Sequence, residues 1–110
     1  MRATAESGAA REQLVARLEE LARRHGFVYN RVFVRRQKTR WGSCSARRNI
    51  SLNINIVRLP PELRDYILLH ELMHTRFLNH SRRFWTELEK IAGDVEALNA
   101  RMKRYSAMLL

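Results

Sequence analysis

Apolar residues recur at two spacings along this chain, and the two spacings predict helices at both ends of the domain with strands between them. Over residues 9–25, leucine recurs every three or four positions, with arginine and glutamate between, which is the pattern of an amphipathic helix. Gly26 is expected to end this helix. Residues 1–8 do not share the pattern and are expected to form a flexible tail.

Strand-like alternation follows over 27–36, where Val32 and Val34 face one way and Arg31, Phe33 and Arg35 the other. Apolar and polar residues alternate again over 49–57, so both segments are predicted to be strands. The second strand directly precedes the longest apolar helix, and we expect it to be an edge strand beside the functional site. Asn53 and Asn55 would lie on its polar face. That face would either bind an extended substrate by strand addition or simply face the solvent.

Helical spacing returns in the second half of the chain and predicts three helices, over residues 62–78, 82–92 and 95–107. Gly93 and Asp94 separate the last two. The order of elements predicts one α+β domain over residues 9–110. We expect a small antiparallel sheet of two or three strands with the helices packed on one face.

Charge and cysteine content narrow the class of protein. The chain has 110 residues and a formal net charge of +10, from 21 Lys+Arg against 11 Asp+Glu. No apolar run approaches the ~20 residues that span a bilayer, and the first residues have no hydrophobic signal segment. Cys44 is the only cysteine, so no intramolecular disulfide can form. We therefore expect a cytoplasmic protein that does not enter a membrane.

The most informative motif is His70-Glu71-Leu72-Met73-His74, an HExxH sequence inside the predicted helix 62–78. Residues four apart on a helix differ by only about 40° in direction, so His70 and His74 can bind the same cation. Glu71 is turned by about 100° and lies beside that cation, where it suits a general base acting on water. Apolar flanks predict a buried helix, and buried His and Glu side chains need partners, which a metal ion provides.

A catalytic zinc ion usually takes a third protein ligand and leaves one position open. His80 is the leading candidate, provided that the helix stops before it, since a continuous helix would turn it about 240° away from His74. Asn79 can end a helix, and Ser81 is expected to cap the next one. The alternative third ligands are downstream carboxylates, namely Glu87, Glu89 and Asp94.

Three stretches together resemble the YgjP-like metallopeptidase domain, a zincin-type family related to SprT-like proteins. They are Arg40-Trp41-Gly42-Ser43-Cys44, Ile50-Ser51-Leu52-Asn53, and the HExxH motif continued through Asn79-His80-Ser81 and Phe84-Trp85. The resemblance implies a zincin-like fold, a Zn²⁺ site with His70, His74 and His80 as ligands, and Glu71 as the catalytic base. It also implies that the loop around Gly42 is structural or lines the site.

The resemblance also carries an expectation about partners. Family members usually have a β-rich N-terminal half before this domain, and this chain does not show one. Either a separate N-terminal domain partner supplies this portion, or the protein is a minimal version of the family. The substrate implied by the family is a peptide or protein.

The expected reaction is peptide-bond hydrolysis by zinc-activated water, with Glu71 as proton acceptor. Arg40, Arg76 or Tyr105 could stabilise the transition state. Two alternative functions would also use a metal ion at this site. One is a nucleotide phosphohydrolase, for which arginine-rich surroundings are suitable. The other is a structural zinc ion with Cys44 as fourth ligand.

Basic residues are concentrated over residues 31–48, which contain no acidic residue and include Trp41. Such a stretch can bind phosphates, and an exposed aromatic ring can stack on a base. The segment could equally be a solvated charged face. A nucleic-acid role would fit a SprT-like protease that acts on proteins bound to nucleic acid.

Overall fold

A computed structural model describes the backbone of residues 2–110 and the side chains from residue 8 onward. It contains four α-helices and three strands, in the order α1 (Arg2–His25), β1 (Val32–Arg35), β2 (Gly42–Cys44), β3 (Ile50–Asn53), α2 (Pro61–Met73), α3 (Arg82–Ala92) and α4 (Val95–Leu109). A short 3₁₀ helix, Ile54–Arg58, joins β3 to α2. The predicted α+β class is therefore confirmed.

The sheet is mixed, so the prediction of an antiparallel sheet is wrong in part. The strand order is β1-β3-β2; β3 runs parallel to β1 and antiparallel to β2. The strand predicted over residues 49–57 is consequently central and is not the edge. It is also shorter than predicted, because the chain turns into the 3₁₀ helix after Asn53. Of the two edge strands, β2 packs more closely on α2.

Helix α2 lies at the centre of the domain and contacts all three other helices as well as β2 and β3. Its apolar side chains are buried on almost every side, as the apolar flanks of the motif predict. The leucines of α1 and the inward residues of β3 complete the same core; fully buried members include Leu18, Ile50, Leu52, Leu63, Leu68 and Leu72. None of the helices formed by residues 2–110 has the length and apolarity to cross a lipid bilayer.

Local capping chemistry fixes several helix ends. The Ser81 hydroxyl accepts a hydrogen bond from the Phe84 backbone N–H, and Asp94 does the same for Ala97 at the start of α4. Helix α3 therefore has the predicted bounds. Helix α1 begins earlier than predicted, at Arg2. Residue 1 and the side chains of residues 2–7 lie outside the described part of the chain, so a flexible tail over residues 1–8 stays a prediction.

Asn53 and Trp41 fasten the loop that leads into β2. The Asn53 side-chain amide donates to the carbonyl oxygens of Gln37, at 2.9 Å, and Arg40, at 3.0 Å. The Trp41 indole N–H donates to the Ser106 hydroxyl of α4, at 2.8 Å. Asn53 is thus fully buried, and the expectation that it lies on a solvated or substrate-binding strand face is wrong.

Candidate metal centre

Three imidazole rings converge where α2 ends and the chain turns back toward α3. The Nε2 atom of His80 lies 3.0 Å from that of His70 and 3.1 Å from that of His74. The helix stops at Met73, and the turns that follow carry His80 back over the C-terminal end of α2. The predicted helix over 62–78 is therefore too long, and its early end allows the third ring to approach the first two.

This trio fits a divalent metal ion. One nitrogen from each ring lies within 4.8 Å of the others. Imidazole nitrogens at ~2.0–2.1 Å from a tetrahedral zinc ion would be about 3.3 Å apart, close to the two separations above. Burial, and then repulsion from His74 and His80, lower the pKa of His70 to about 3, so this imidazole is neutral, which is the form that binds metals.

Surrounding groups hold each ring in place. Tyr66, Phe84 and Trp85 stack on His70, His74 and His80, with centroid separations of 6.2, 4.5 and 5.3 Å respectively. The Nδ1 atom of His74 lies 2.9 Å from the Phe77 carbonyl oxygen. An N–H at Nδ1 donates to that oxygen, which leaves the Nε2 lone pair directed at the other two rings.

Glu71 lies beside the trio and under β2. It is only 4 % exposed, and its Oε2 atom is 4.0 Å from Nδ1 of His70. Burial raises the pKa of the Glu71 carboxyl to about 7, although attraction to Arg40 opposes part of this rise. A carboxyl group with a pKa near neutrality is suited to accept and return a proton.

Gly42 of β2 packs directly on the Glu71 side chain. A Cβ atom at position 42 would lie 3.0 Å from Cγ and 3.1 Å from Oε2 of Glu71, and 3.0 Å from the Ser51 carbonyl oxygen. The Ser51 oxygen belongs to the neighbouring strand and cannot easily move, so the carboxylate would have to shift. Glycine at this position thus allows Glu71 to lie against the edge strand.

We therefore expect Gly42→Ala to lower kcat by about 100-fold, because a displacement near 1 Å can cost that much, while metal content stays unchanged. Steady-state peptidase kinetics and elemental analysis measure the two effects. Gly8→Ala is the matched control, since nothing lies within 4 Å of a Cβ atom there. Wild-type kcat in Gly42→Ala would show that this contact does not position Glu71.

A cleft of about 240 Å³ opens onto the metal centre. Its walls are formed by β2, the three histidines, Glu71 and the exposed Leu78. Cys44 also lines it, but Cys44 is not in the group of converging ligand atoms, and burial raises the pKa of its thiol to about 11. A wider groove of about 620 Å³ lies between α1 and α2, but no histidine or cysteine lines it.

The remaining candidates, for the third metal ligand and for stabilisation of the transition state, have different positions in the structure. The carboxylate of Glu87 pairs with Lys90, and Asp94 caps α4, and neither joins the three histidines. The Arg76 guanidinium donates to the carbonyl oxygens of His25 and Gly26 at the end of α1, so it has a structural role there. Tyr105 packs against the core. Arg40 is thus the cation among the candidates whose charge acts on the site.

Sequence reasoning did not assign roles to the aromatic rings that stack on the histidines, nor to the contact between Gly42 and Glu71. One signal was available for Tyr66, which lies four positions before His70 and hence on the same helix face. The contacts of Phe84, Trp85 and Gly42 depend on how separate elements pack together, which periodicity does not report.

Comparison with known protein families identifies the fold and the type of enzyme. Residues 3–105 match the family described as "YgjP-like, metallopeptidase domain". The chain belongs to this family. It is therefore a metallopeptidase domain of the YgjP-like type, as the sequence motifs predict, and a peptidase of this kind uses a metal ion and acts on peptides or proteins.

Solved structures support the same zincin-like α+β fold for this YgjP-like domain. The metallopeptidase zymogen abylysin of Pyrococcus abyssi is similar with a TM-score of 0.73 and 26% identity, covering 84% of this chain and 93% of abylysin. The metallopeptidase zymogen jannalysin of Methanocaldococcus jannaschii has a TM-score of 0.71 and 21% identity, covering 84% of this chain and 95% of jannalysin. No curated protein sequence matches.

Proposed function

We propose that this domain is a zinc peptidase in which His70, His74 and His80 bind the metal and Glu71 is the general base. The observation that carries the proposal is the convergence of three Nε2 atoms next to a buried carboxylate. Three ligands suit a catalytic zinc ion, which keeps a coordination position open. A structural zinc ion would favour a fourth protein ligand, and Cys44 does not converge with the three histidines.

The roles of the protein groups follow from their positions. A zinc ion held by the histidines would supply Lewis acidity and would lower the pKa of water in the cleft toward ~7. Glu71 accepts the proton of the attacking water and returns it to the leaving amine. Gly42 and burial keep the carboxylate next to the cleft. Arg40 adds positive charge where negative charge develops on the substrate carbonyl.

Metal removal tests the proposal. Protein stripped with a chelator is expected to lose hydrolysis of unfolded casein, and one equivalent of Zn²⁺ is expected to restore it. Cys44→Ala is expected to bind the same amount of zinc, because Cys44 is not a ligand. Full activity in stripped protein, or turnover of a nucleoside triphosphate instead of casein, would contradict the peptidase assignment and favour the phosphohydrolase alternative.

Two predicted partners remain predictions, namely nucleic acid bound through residues 31–48 and a separate N-terminal domain. The seven basic side chains of residues 31–48 are exposed, which binding of phosphates requires. Trp41, however, is buried against α4 and is not available to stack on a base. A steep decrease in DNA affinity with increasing salt would support nucleic-acid binding, and no binding at low salt would exclude it.

A further inference from the structure

Positive and negative charges are segregated between the two parts of the domain. The segment from residue 27 to residue 61, which comprises the sheet, its loops and the 3₁₀ helix, contains no acidic residue. The same segment contains eight basic residues, namely Arg31, Arg35, Arg36, Lys38, Arg40, Arg47, Arg48 and Arg58. The acidic residues of the chain thus lie on the helical parts, and the sheet side carries a strong excess of positive charge.

Part of this positive charge is placed at the cleft. Strand β2 forms one wall of the cleft, and Arg40 lies shortly before this strand. Arg47 and Arg48 form the turn after it, where the Arg48 N–H donates to the Ser45 carbonyl oxygen at 2.9 Å and the chain returns into β3. Cations therefore flank both ends of the wall.

These side chains are free to meet a ligand. Arg40, Arg47 and Arg48 are exposed, and within the side chains of residues 8–110 none of the three forms an ion pair. They also lie close to the cleft along the chain, since Arg40 is two residues before Gly42, and Arg47 and Arg48 follow Cys44, and both Gly42 and Cys44 line the cleft. Both ends of β2, which forms one wall of the cleft, are thus flanked by exposed arginines that form no ion pair within the side chains of residues 8–110.

Between the two polyanions that could use this surface, the structure favours an acidic polypeptide. Binding of single-stranded nucleic acid relies on exposed aromatic rings on which bases stack. Of the two aromatic residues in the basic segment 31–48, Trp41 has a buried indole bonded to Ser106, and Phe33 lies on β1, at the edge of the sheet opposite β2. The edge of β2, in contrast, offers unpaired backbone groups to an extended chain.

We propose that the cleft selects polypeptide substrates with carboxylate side chains on both sides of the cleaved bond, and that Arg40, Arg47 and Arg48 are the specificity-determining residues. The inference rests on the proposed peptidase function. Substrate carboxylates would pair with the cations at the two ends of β2, and the wider positive surface would attract acidic segments toward the cleft.

Two fluorescent random peptide libraries of equal length test the proposal, one with Asp and Glu at the flanking positions and the other with Asn and Gln. Binding is measured on the zinc form of Glu71→Gln, which separates recognition from turnover, and cleavage is measured on the wild type. We expect the acidic library to bind and react about 10-fold better at low salt. The ratio should approach one at about 1 M salt, where screening is nearly complete.

Two double variants that lose the same charge at different places test whether the preference for acidic peptides arises at the cleft. Arg47→Gln with Arg48→Gln is expected to lower the acidic-to-amide ratio at least threefold, and Arg40→Gln to lower it further. The control is Arg11→Gln with Arg23→Gln, which removes the same charge from exposed positions on α1, where no residue lines the cleft. The control should keep the wild-type ratio.

The possible failures are distinguishable. Equal cleavage of both libraries by the wild type would overturn the inference and leave the peptidase function intact. An equal decrease of the ratio in both double variants would overturn it as well, since only net charge would then matter. A DNA strand of about 20 nucleotides could also bind more tightly than the acidic library. If this binding were lost in the Arg47 and Arg48 variant but not in the control variant, the surface would be assigned to nucleic acid. Discrimination in binding without any cleavage would refute the proposed function, and it would overturn the inference as a statement about cleavage sites, leaving only a surface that binds acidic polypeptides.

Discussion

Glu71→Gln is expected to hydrolyse peptides about 10²–10⁴-fold more slowly than the wild type, the usual contribution of a general acid–base group. Glutamine has the shape of glutamate and can occupy the same buried space beside Gly42. Its amide nitrogen, however, cannot accept a proton from the attacking water. The loss is expected in kcat, because the metal and the walls of the cleft that bind substrate remain.

The controls for this variant are metal content and stability. Zinc stoichiometry should equal that of the wild type, since Glu71 is not among the converging ligand atoms. Thermal unfolding should show no loss of stability, because a buried carboxyl that is costly to ionise is replaced by a neutral group. Peptidase activity close to the wild-type value in a zinc-loaded Glu71→Gln protein would refute the assignment of the base.

His80→Ala is expected to weaken zinc binding by at least about 100-fold, and activity at limiting zinc should decrease with it. Loss of an outer-shell partner alone typically costs 10–100-fold in metal affinity, and loss of a direct ligand costs more. His80 lies on the surface after the turn, so its removal should not unfold the domain. Competition with a chromophoric chelator measures the affinity, and circular dichroism verifies the fold.

Glu87→Ala is the matched control for the third ligand. Among the carboxylates that the sequence offered as alternatives, Glu87 is the first after His80 along the chain, and in the structure it pairs with Lys90. Its removal should leave zinc affinity unchanged. A large loss of zinc in Glu87→Ala together with full binding in His80→Ala would show that the site rearranges to a two-histidine, one-carboxylate set.

Helices whose ends are fixed by capping residues could be predicted from the sequence. Helix α3 has the predicted bounds because Ser81 caps its start and Gly93, at φ 94°, ends it. The end of α2 was predicted too far along the chain. Asn79 was expected to terminate it, but the helix already ends at Met73, and a hydrogen bond between His74 and the Phe77 carbonyl oxygen holds the turn.

The position of a strand within the sheet cannot be predicted from the alternation of apolar and polar residues. The pattern over residues 49–57 correctly indicated a strand, but alternation is the same in an edge strand and in a central one. The parallel pairing of β1 with β3 places β2 on the outside, next to the cleft. Asn53 resembles a solvated strand residue in sequence, and only the folded structure shows its amide binding the carbonyl oxygens of Gln37 and Arg40.

X-ray absorption at the zinc edge, on protein loaded with one equivalent of Zn²⁺, tests the central claim most directly because it reports ligand atoms and distances. The account predicts three imidazole nitrogens at ~2.0–2.1 Å and one further oxygen from water. A sulfur scatterer at ~2.3 Å would identify Cys44 as a ligand and a closed structural site. A zinc ion bound by two imidazoles and a carboxylate, or by no imidazole, would equally contradict a centre built from His70, His74 and His80.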